Sequence, residues 1–229
     1  METSSPTVIS ISLGFVSVFL LKGETRSILV DAGVRPGDAA KILDQIRAHG
    51  IDPRSISLIA ITHVHPDHVG ALSELVKATS ARVAVHAVEA NFLRHSKSQV
   101  VVPKSALIRL LMRFAPGAGF SAIEPDVIVE DELNLAPFGV DGKAISTPGH
   151  SDGSLSIRLA SGEVIVGDLI MSNFILPRKP TFPLIVQNPA QAVESIKRVL
   201  SWQPTQIYAA HGGPFTAQAV AKRLEKYLQ

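Results

Sequence analysis

The stretch Thr62-His63-Val64-His65-Pro66-Asp67-His68-Val69-Gly70 constrains this chain more than any other. Three imidazoles and a carboxylate fall within six residues, directly after the apolar run Ile56-Ser57-Leu58-Ile59-Ala60-Ile61. That run predicts a short, largely buried strand. His63 and His65 stand two apart, so at a strand end both point to one face. Pro66 cannot donate to a ladder and turns the chain, which brings Asp67 and His68 toward the same spot from another direction. Imidazole is a common ligand of zinc, iron and nickel, with carboxylate as its oxygen partner. Four such groups converging predict a divalent metal centre, with ligands enough for more than one ion. The ordinary alternatives are hydrogen-bonded packing histidines and an Asp67 that caps a helix beginning near Val69. Against them, the chain holds eight histidines in 229 residues, and three are here.

Composition narrows the class. With 46% hydrophobic and 18% charged residues, the chain can bury a substantial core. Twenty-two Lys and Arg against 20 Asp and Glu leave a net charge of +2 and nothing like a nucleic-acid-binding stripe, so no nucleic-acid partner is expected. There is no cysteine, which excludes a disulfide framework and a thiolate metal site and fits a reducing cytoplasm. Residues 8–21 are apolar, yet no Lys or Arg precedes them, and Ser10, Ser12, Gly14 and Ser17 interrupt them. The stretch is too short to cross a bilayer. Two strands at the edge of a sheet are expected there, and no membrane partner.

Further along, a third strand is predicted over 26–30 and ends at Asp31-Ala32-Gly33. A helix over 37–48 stops at Gly50, another spans 69–77, and a strand covers 81–85. Residues 91–125 differ: the oily, basic segment 104–114 predicts a helix with Arg109 and Arg113 on one face, bounded by Pro103 and Pro116-Gly117. It can be an ordinary packed helix, a lid over the metal cleft, or a homodimer contact. Beyond Asp126, strands are predicted at 127–129, 142–147, 155–159, 163–166 and 206–209, and helices at 190–200 and 216–228. Strands alternating with helices indicate an α/β architecture. Both halves run from strands into helices with no long linker between them, which suggests two similar αβ units packed face to face and one domain over 1–229.

Three more ligand candidates stand at predicted strand ends beside glycine: His150 in Thr147-Pro148-Gly149-His150-Ser151, Asp168 after Val166-Gly167, and His211 before Gly212-Gly213. Glycine there lets the backbone approach closely, and an acid ending a buried strand is costly unless paired or metal-bound. With the first motif they make five histidines and two aspartates, enough for two ions sharing one carboxylate.

The ordered set His63-x-His65-x-Asp67-His68, His150, Asp168 and His211, with Val30-Asp31-Ala32-Gly33 before it, resembles the metallo-β-lactamase-fold hydrolase superfamily over nearly the whole chain. The resemblance implies a four-layer αβ/βα sandwich with its metals at one edge of two facing sheets, here with a helical insertion around 91–125. It implies that His63, His65 and His150 hold one metal, that Asp67, His68 and His211 hold a second, and that Asp168 bridges them. Asp31 would then orient a metal-bound histidine. The expected cofactors are two divalent ions, zinc first, with iron or manganese as alternatives. A bridging hydroxide would attack, the ions would hold the developing oxyanion, and Asp67 would pass a proton toward the leaving group.

The expected reaction is hydrolysis of a lactone, ester or thioester in a small molecule. Alternatives are a phosphodiesterase on the same fold, and a mononuclear iron oxidoreductase like the persulfide dioxygenases, using His63, His150 and Asp168 alone. Flavo-di-iron oxygen reductases carry Glu where His65 stands, which argues against that chemistry. Leu169-Ile170-Met171-Ser172-Asn173-Phe174 replaces the Gly-Cys-Gly-Arg stretch of glyoxalase II and persulfide dioxygenases, which argues against both while leaving thioester hydrolysis open. A bridging Asp168 and the absence of cysteine argue against the common zinc β-lactamase classes. For substrate binding, Arg178 and Lys179 are candidates for a carboxylate or phosphate, and Phe174 for an apolar wall.

Overall fold

The computed structural model describes residues 7–98, 119–172 and 179–228. The helix expected over 104–114, Phe174 and Arg178 lie outside the described residues. The first sheet contains β1 (Thr7–Ser12), β2 (Ser17–Lys22), β3 (Ser27–Val30), β4 (Ile56–Ala60), β5 (Arg82–His86) and β6 (Val127–Val129), in that spatial order. β1, β2 and β3 pair antiparallel, whereas β3 through β6 run parallel. The parallel connections carry α1 (Asp38–Ala48), α2 (Pro66–Val69), α3 (Leu72–Thr79) and α4 (Ala87–Arg94).

The second sheet is built from β7 (Glu132–Asn134), β8 (Gly142–Ser146), β9 (Leu155–Leu159) and β10 (Glu163–Ile165). After a small hairpin of β11 (Met171–Ser172) and β12 (Pro180–Thr181) and the helix α5 (Pro189–Ser201), β13 (Gln206–Tyr208) joins it, and α6 (Ala217–Leu228) follows. Its order is β13-β10-β9-β8-β7. β13 lies parallel to β10, and the other pairs are antiparallel.

Alternation along the strands separates three apolar layers. Val18, Leu20, Leu29, Ile59, Val83 and Val85 face Ile42 and Ile46 of α1, Leu72 and Leu75 of α3 and Leu93 of α4. The intervening residues Phe19, Leu21, Ile28, Val30, Leu58, Ala60 and Ala84 face Ala144, Leu155, Ile157 and Ile165 of the second sheet. On that sheet's far side, Val164 and Ile207 pack on Ile196 and Val199 of α5 and Val220 and Leu224 of α6. The result is the four-layer αβ/βα sandwich expected from the sequence. Its two sheets face each other because central strands apolar on both faces need cover on both.

Some boundaries differ from expectation. The strand expected over 56–61 ends at Ala60, because the Thr62 amide turns to the Asp31 carboxylate at 2.8 Å. His63 and His65 therefore sit in a loop after the strand rather than on it. The helix expected over 69–77 is split into α2 and α3 at Gly70. There the Gly70 amide donates to Gly33 O at 2.7 Å, and a Cβ on Gly70 would lie 2.0 Å from the Val34 backbone. In the 91–125 region, residues 91–94 finish α4, and 119–125 have no regular structure.

Asp31, the 62–68 loop, His150, Asp168 and His211 all leave the C-terminal ends of strands: β3, β4, β8, β10 and β13 respectively. β8 runs parallel to β10 and β13, since each neighbouring reversal is undone by the next. Five chain segments thus deliver their polar groups to one edge of the sandwich.

Candidate metal centre

Asp31 anchors this edge. It takes a left-handed backbone (φ 65°), which Asp tolerates better than most residues, and its side chain is fully buried. Its carboxylate accepts from the Thr62 amide at 2.8 Å, from Thr62 Oγ1 at 2.9 and 3.0 Å, and from His68 Nδ1 at 2.8 Å. With its one proton committed to Asp31, the Thr62 hydroxyl can only accept from His63 Nδ1, 3.2 Å away. His150 Nδ1 lies 2.8 Å from Ile185 O, and His211 Nδ1 lies 2.9 Å from Phe15 O. A carbonyl only accepts, so each of these Nδ1 atoms carries a proton. In the neutral rings of His63, His68, His150 and His211, the inward Nε2 is therefore the bare lone pair.

These lone pairs converge. His63 Nε2, His150 Nε2 and His65 Nδ1 form a triangle with edges of 2.9, 3.1 and 3.2 Å. Nitrogens around a tetrahedral zinc lie about 3.3 Å apart, so the triangle has the size of one ion's ligand set. Asp67, His68 and His211 form a second group, with Asp67 Oδ2 3.2 Å from His211 Nε2 and 3.9 Å from His68 Nε2. Asp168 lies between the groups: Oδ1 is 3.4 Å from His68 Nε2, and Oδ2 is 3.3 Å from His211 and 3.7 Å from His150. His63, His68 and Asp168 also fall within 4.8 Å of one another.

Buried atoms left over at the junction test whether ions fit. His68 Nε2 and Asp168 Oδ1 are buried without a hydrogen-bond partner among the described residues. Leaving such groups unpaired is costly, and two cations among these nitrogens and oxygens would satisfy both atoms. An all-nitrogen-and-oxygen donor set suits borderline dications such as zinc.

The electrostatics divide the histidines in two. Burial, reinforced by neighbouring imidazoles, pushes His63 well below its usual pKa and His65 down to about 3. Burial also lowers His150. For His211, burial pulls downward but the Asp168 carboxylate outweighs it, and the ring rises to about 10. Burial likewise opposes His68, yet Asp31 and Asp168 raise it well above its usual value. Asp67 and Asp168 are lowered although burial works against them, because His68 and His211 face them. Without cations, two rings must therefore hold protons to balance the acids. Those protons stand where the second group would take an ion.

All seven residues proposed as ligands from the sequence meet at this edge, with Asp31 against His68. Asp67 does not cap a helix: His65 occupies the N-cap of α2, with no side-chain cap bond. Lys179 is exposed beside β12. Three participants were given no role from the sequence. Thr62 links Asp31 to His63. Phe15, 63% exposed, lies parallel to the His211 ring at 5.8 Å. Glu89, 1% exposed, accepts the Val64 amide between the two paired histidines. Only Glu89 had a signal, a carboxylate in the apolar run Ala87-Val88-Glu89-Ala90.

The family model described as the metallo-beta-lactamase superfamily matches residues 11–208. A Bacillus subtilis protein named "Probable metallo-hydrolase YqgX" is 28% identical over 201 residues, 86% of this chain and 84% of its own. A hydroxyacylglutathione hydrolase of Vibrio campbellii is 27% identical over 191 residues, covering 83% of this chain and 59% of that enzyme. The crystal structure of a metallo-beta-lactamase family protein from Thermus thermophilus shares the fold, with a TM-score of 0.69 at 21% identity over 98% of this chain and 78% of that one.

Proposed function

The chain belongs to the metallo-β-lactamase superfamily, and from that premise we propose that it is a dinuclear metal-dependent hydrolase of a small ester-like bond: a lactone, ester or thioester. The observation that carries this reading is the pair of ligand groups with buried His68 Nε2 and Asp168 Oδ1 between them, 3.4 Å apart and without a hydrogen bond among the described residues. In this reading His63, His65 and His150 hold one divalent ion, Asp67, His68 and His211 hold the other, and Asp168 spans both. Zinc is the first choice for the donor set, with iron and manganese next. Such ions supply, when bound, a water activated near neutral pH and Lewis acidity toward the bond under attack.

The chain's own groups do the rest. Asp31, Thr62 and the carbonyls of Phe15 and Ile185 fix four rings with Nε2 inward before any substrate arrives. Asp67 is the more open carboxylate, its side chain 26% exposed against 7% for Asp168. Its outer face is the one that can relay a proton to the departing oxygen or sulfur. Phe15 offers an apolar lip beside His211 for the acyl portion of the substrate. Thioesters, already expected from the sequence, gain support from a relative named as a hydroxyacylglutathione hydrolase. We place the whole of 1–229 in one catalytic domain working without nucleic acid or membrane. Among the described residues no helix is long and apolar enough to cross a bilayer, and a cysteine-free chain suits the cytoplasm.

The test is an assay of lactones, aryl esters, thioesters, β-lactams and phosphodiesters with and without a chelator, alongside metal analysis. Chelator-sensitive turnover of an acyl substrate with two ions per chain is the expected result. One iron per chain with oxygen consumption would sink this reading in favour of a mononuclear oxidoreductase.

A further inference from the structure

α4 is inverted at its first turn. Val88 is 44% exposed while Glu89 beside it is 1% exposed, although an acid is almost never buried unless it is paired. Its carboxylate is engaged from two sides. Oε2 accepts the Val64 amide at 3.1 Å, the amide between His63 and His65. The carboxylate also accepts from the Ser151 hydroxyl and the Gly153 amide, in the loop that begins at His150. Gly153 is held so close that a Cβ there would fall 2.4 Å from Glu89 Cγ. One buried side chain on the first αβ unit therefore ties together the two loops that carry the His63, His65 and His150 nitrogens. A backbone bond from Leu155 N to Thr62 O, at 2.8 Å, also joins these loops.

We propose that Glu89 is a positioning residue for one metal site, a brace that holds the His150 loop at the distance the His63–His65 loop needs for all three nitrogens to meet one cation. The proposal rests on the metallohydrolase reading and deepens it. The second group is braced separately: Asp31 holds His68, and the Phe15 carbonyl holds His211. Loss of Glu89 therefore separates the two ions in affinity. Its place is distinct from that of a general stabilising contact, because the groups it ties are backbone and hydroxyl donors immediately beside ligands.

The experiment is a zinc titration of the metal-stripped full chain against a chromophoric chelator, repeated with cobalt to read the ligand-field spectrum. H150A and D67A serve as references that mark each ion's position. In E89A the affinity at the His63/His65/His150 position falls about 10- to 100-fold, the range for residues that orient metal ligands, and the affinity at the other position is unchanged. E89Q is isosteric and keeps one acceptor oxygen while setting an amide NH2 against a donor, so it shows an intermediate loss with the same selectivity. Melting curves of the metal-free variants show whether each is folded, and E89Q carries the test if E89A does not fold. Wild-type affinities for both ions in E89Q and E89A, or equal weakening of both, overturn the brace. Wild-type protein that takes up none of zinc, cobalt, manganese and iron overturns the metallohydrolase reading itself, and the brace with it.

Discussion

Asp31 Oδ2 accepts a hydrogen bond from His68 Nδ1–H at 2.8 Å, and neither side chain has any solvent exposure. The same carboxylate holds the Thr62 amide and hydroxyl. One buried acid thereby sets both a ring orientation and the path of the loop bearing His63 and His65.

Asp31→Ala is expected to strand three buried donors, each costing about 1–3 kcal/mol when left unpaired. Thermal denaturation of the metal-free protein checks this, and an unchanged melting temperature would refute it. Zinc affinity at the His68 position should fall about 10- to 100-fold. Asp31→Asn keeps a residue that accepts the left-handed backbone and an acceptor for Thr62, and should lose less stability than alanine.

Asp168→Asn and His150→Ala should each reduce turnover by more than about 100-fold, since even the partners that orient metal ligands are worth 10- to 100-fold. Far-ultraviolet circular dichroism should stay as in wild type, because both residues sit at the rim beyond β8 and β10. Activity within a few-fold of wild type in either variant would remove these residues from the site.

The metal-free protein should be most stable near pH 6.5. His211 is raised to about 10, so the folded state holds a proton that the unfolded chain releases near 6.5. That contribution is complete below 6.5 and disappears as pH climbs toward 10. His65 is depressed to about 3, so below 6.5 the unfolded chain binds a proton the folded ring refuses, and stability falls toward pH 3. The lowered carboxylates Asp67 and Asp168 add to the acid loss. Melting temperatures of chelator-treated protein from pH 4 to 10 check the shape. His211→Asn should flatten the alkaline limb in part, since His68 is raised as well, and should soften the acid loss, since His211 helps to lower Asp67 and Asp168.

Phe15→Ala leaves the carbonyl that orients His211 in place while removing a ring that is 63% exposed at the rim. KM for substrates with a bulky apolar acyl group should rise about tenfold, the scale of a small apolar contact, with kcat little changed. Equal effects on short and bulky acyl substrates would exclude Phe15 from substrate contact.

The sequence carried much of this molecule in local patterns. The continuous apolar runs of β3, β4 and β5 announce strands covered on both faces, and the spacing of Ile42 and Ile46 announces α1. The site was legible because histidine and aspartate beside glycine or proline at strand ends are rare unless used. Less legible were the ends of elements. Ile61 prolongs an apolar run, yet the strand stops at Ala60 because the Thr62 amide bonds a carboxylate 31 residues away.

The amino-acid sequence by itself determined the types of the candidate ligands, their order and the alternation of strands with helices, since each is written within a window of a few residues. Only the tertiary structure decided which ring nitrogen faces inward, for His211 donates to a carbonyl 196 residues earlier. It also decided that Glu89 points into the protein while Val88 points out. Partners so distant in sequence are selected by how the layers pack, and a one-dimensional pattern holds no record of which face of one unit meets which loop of the other.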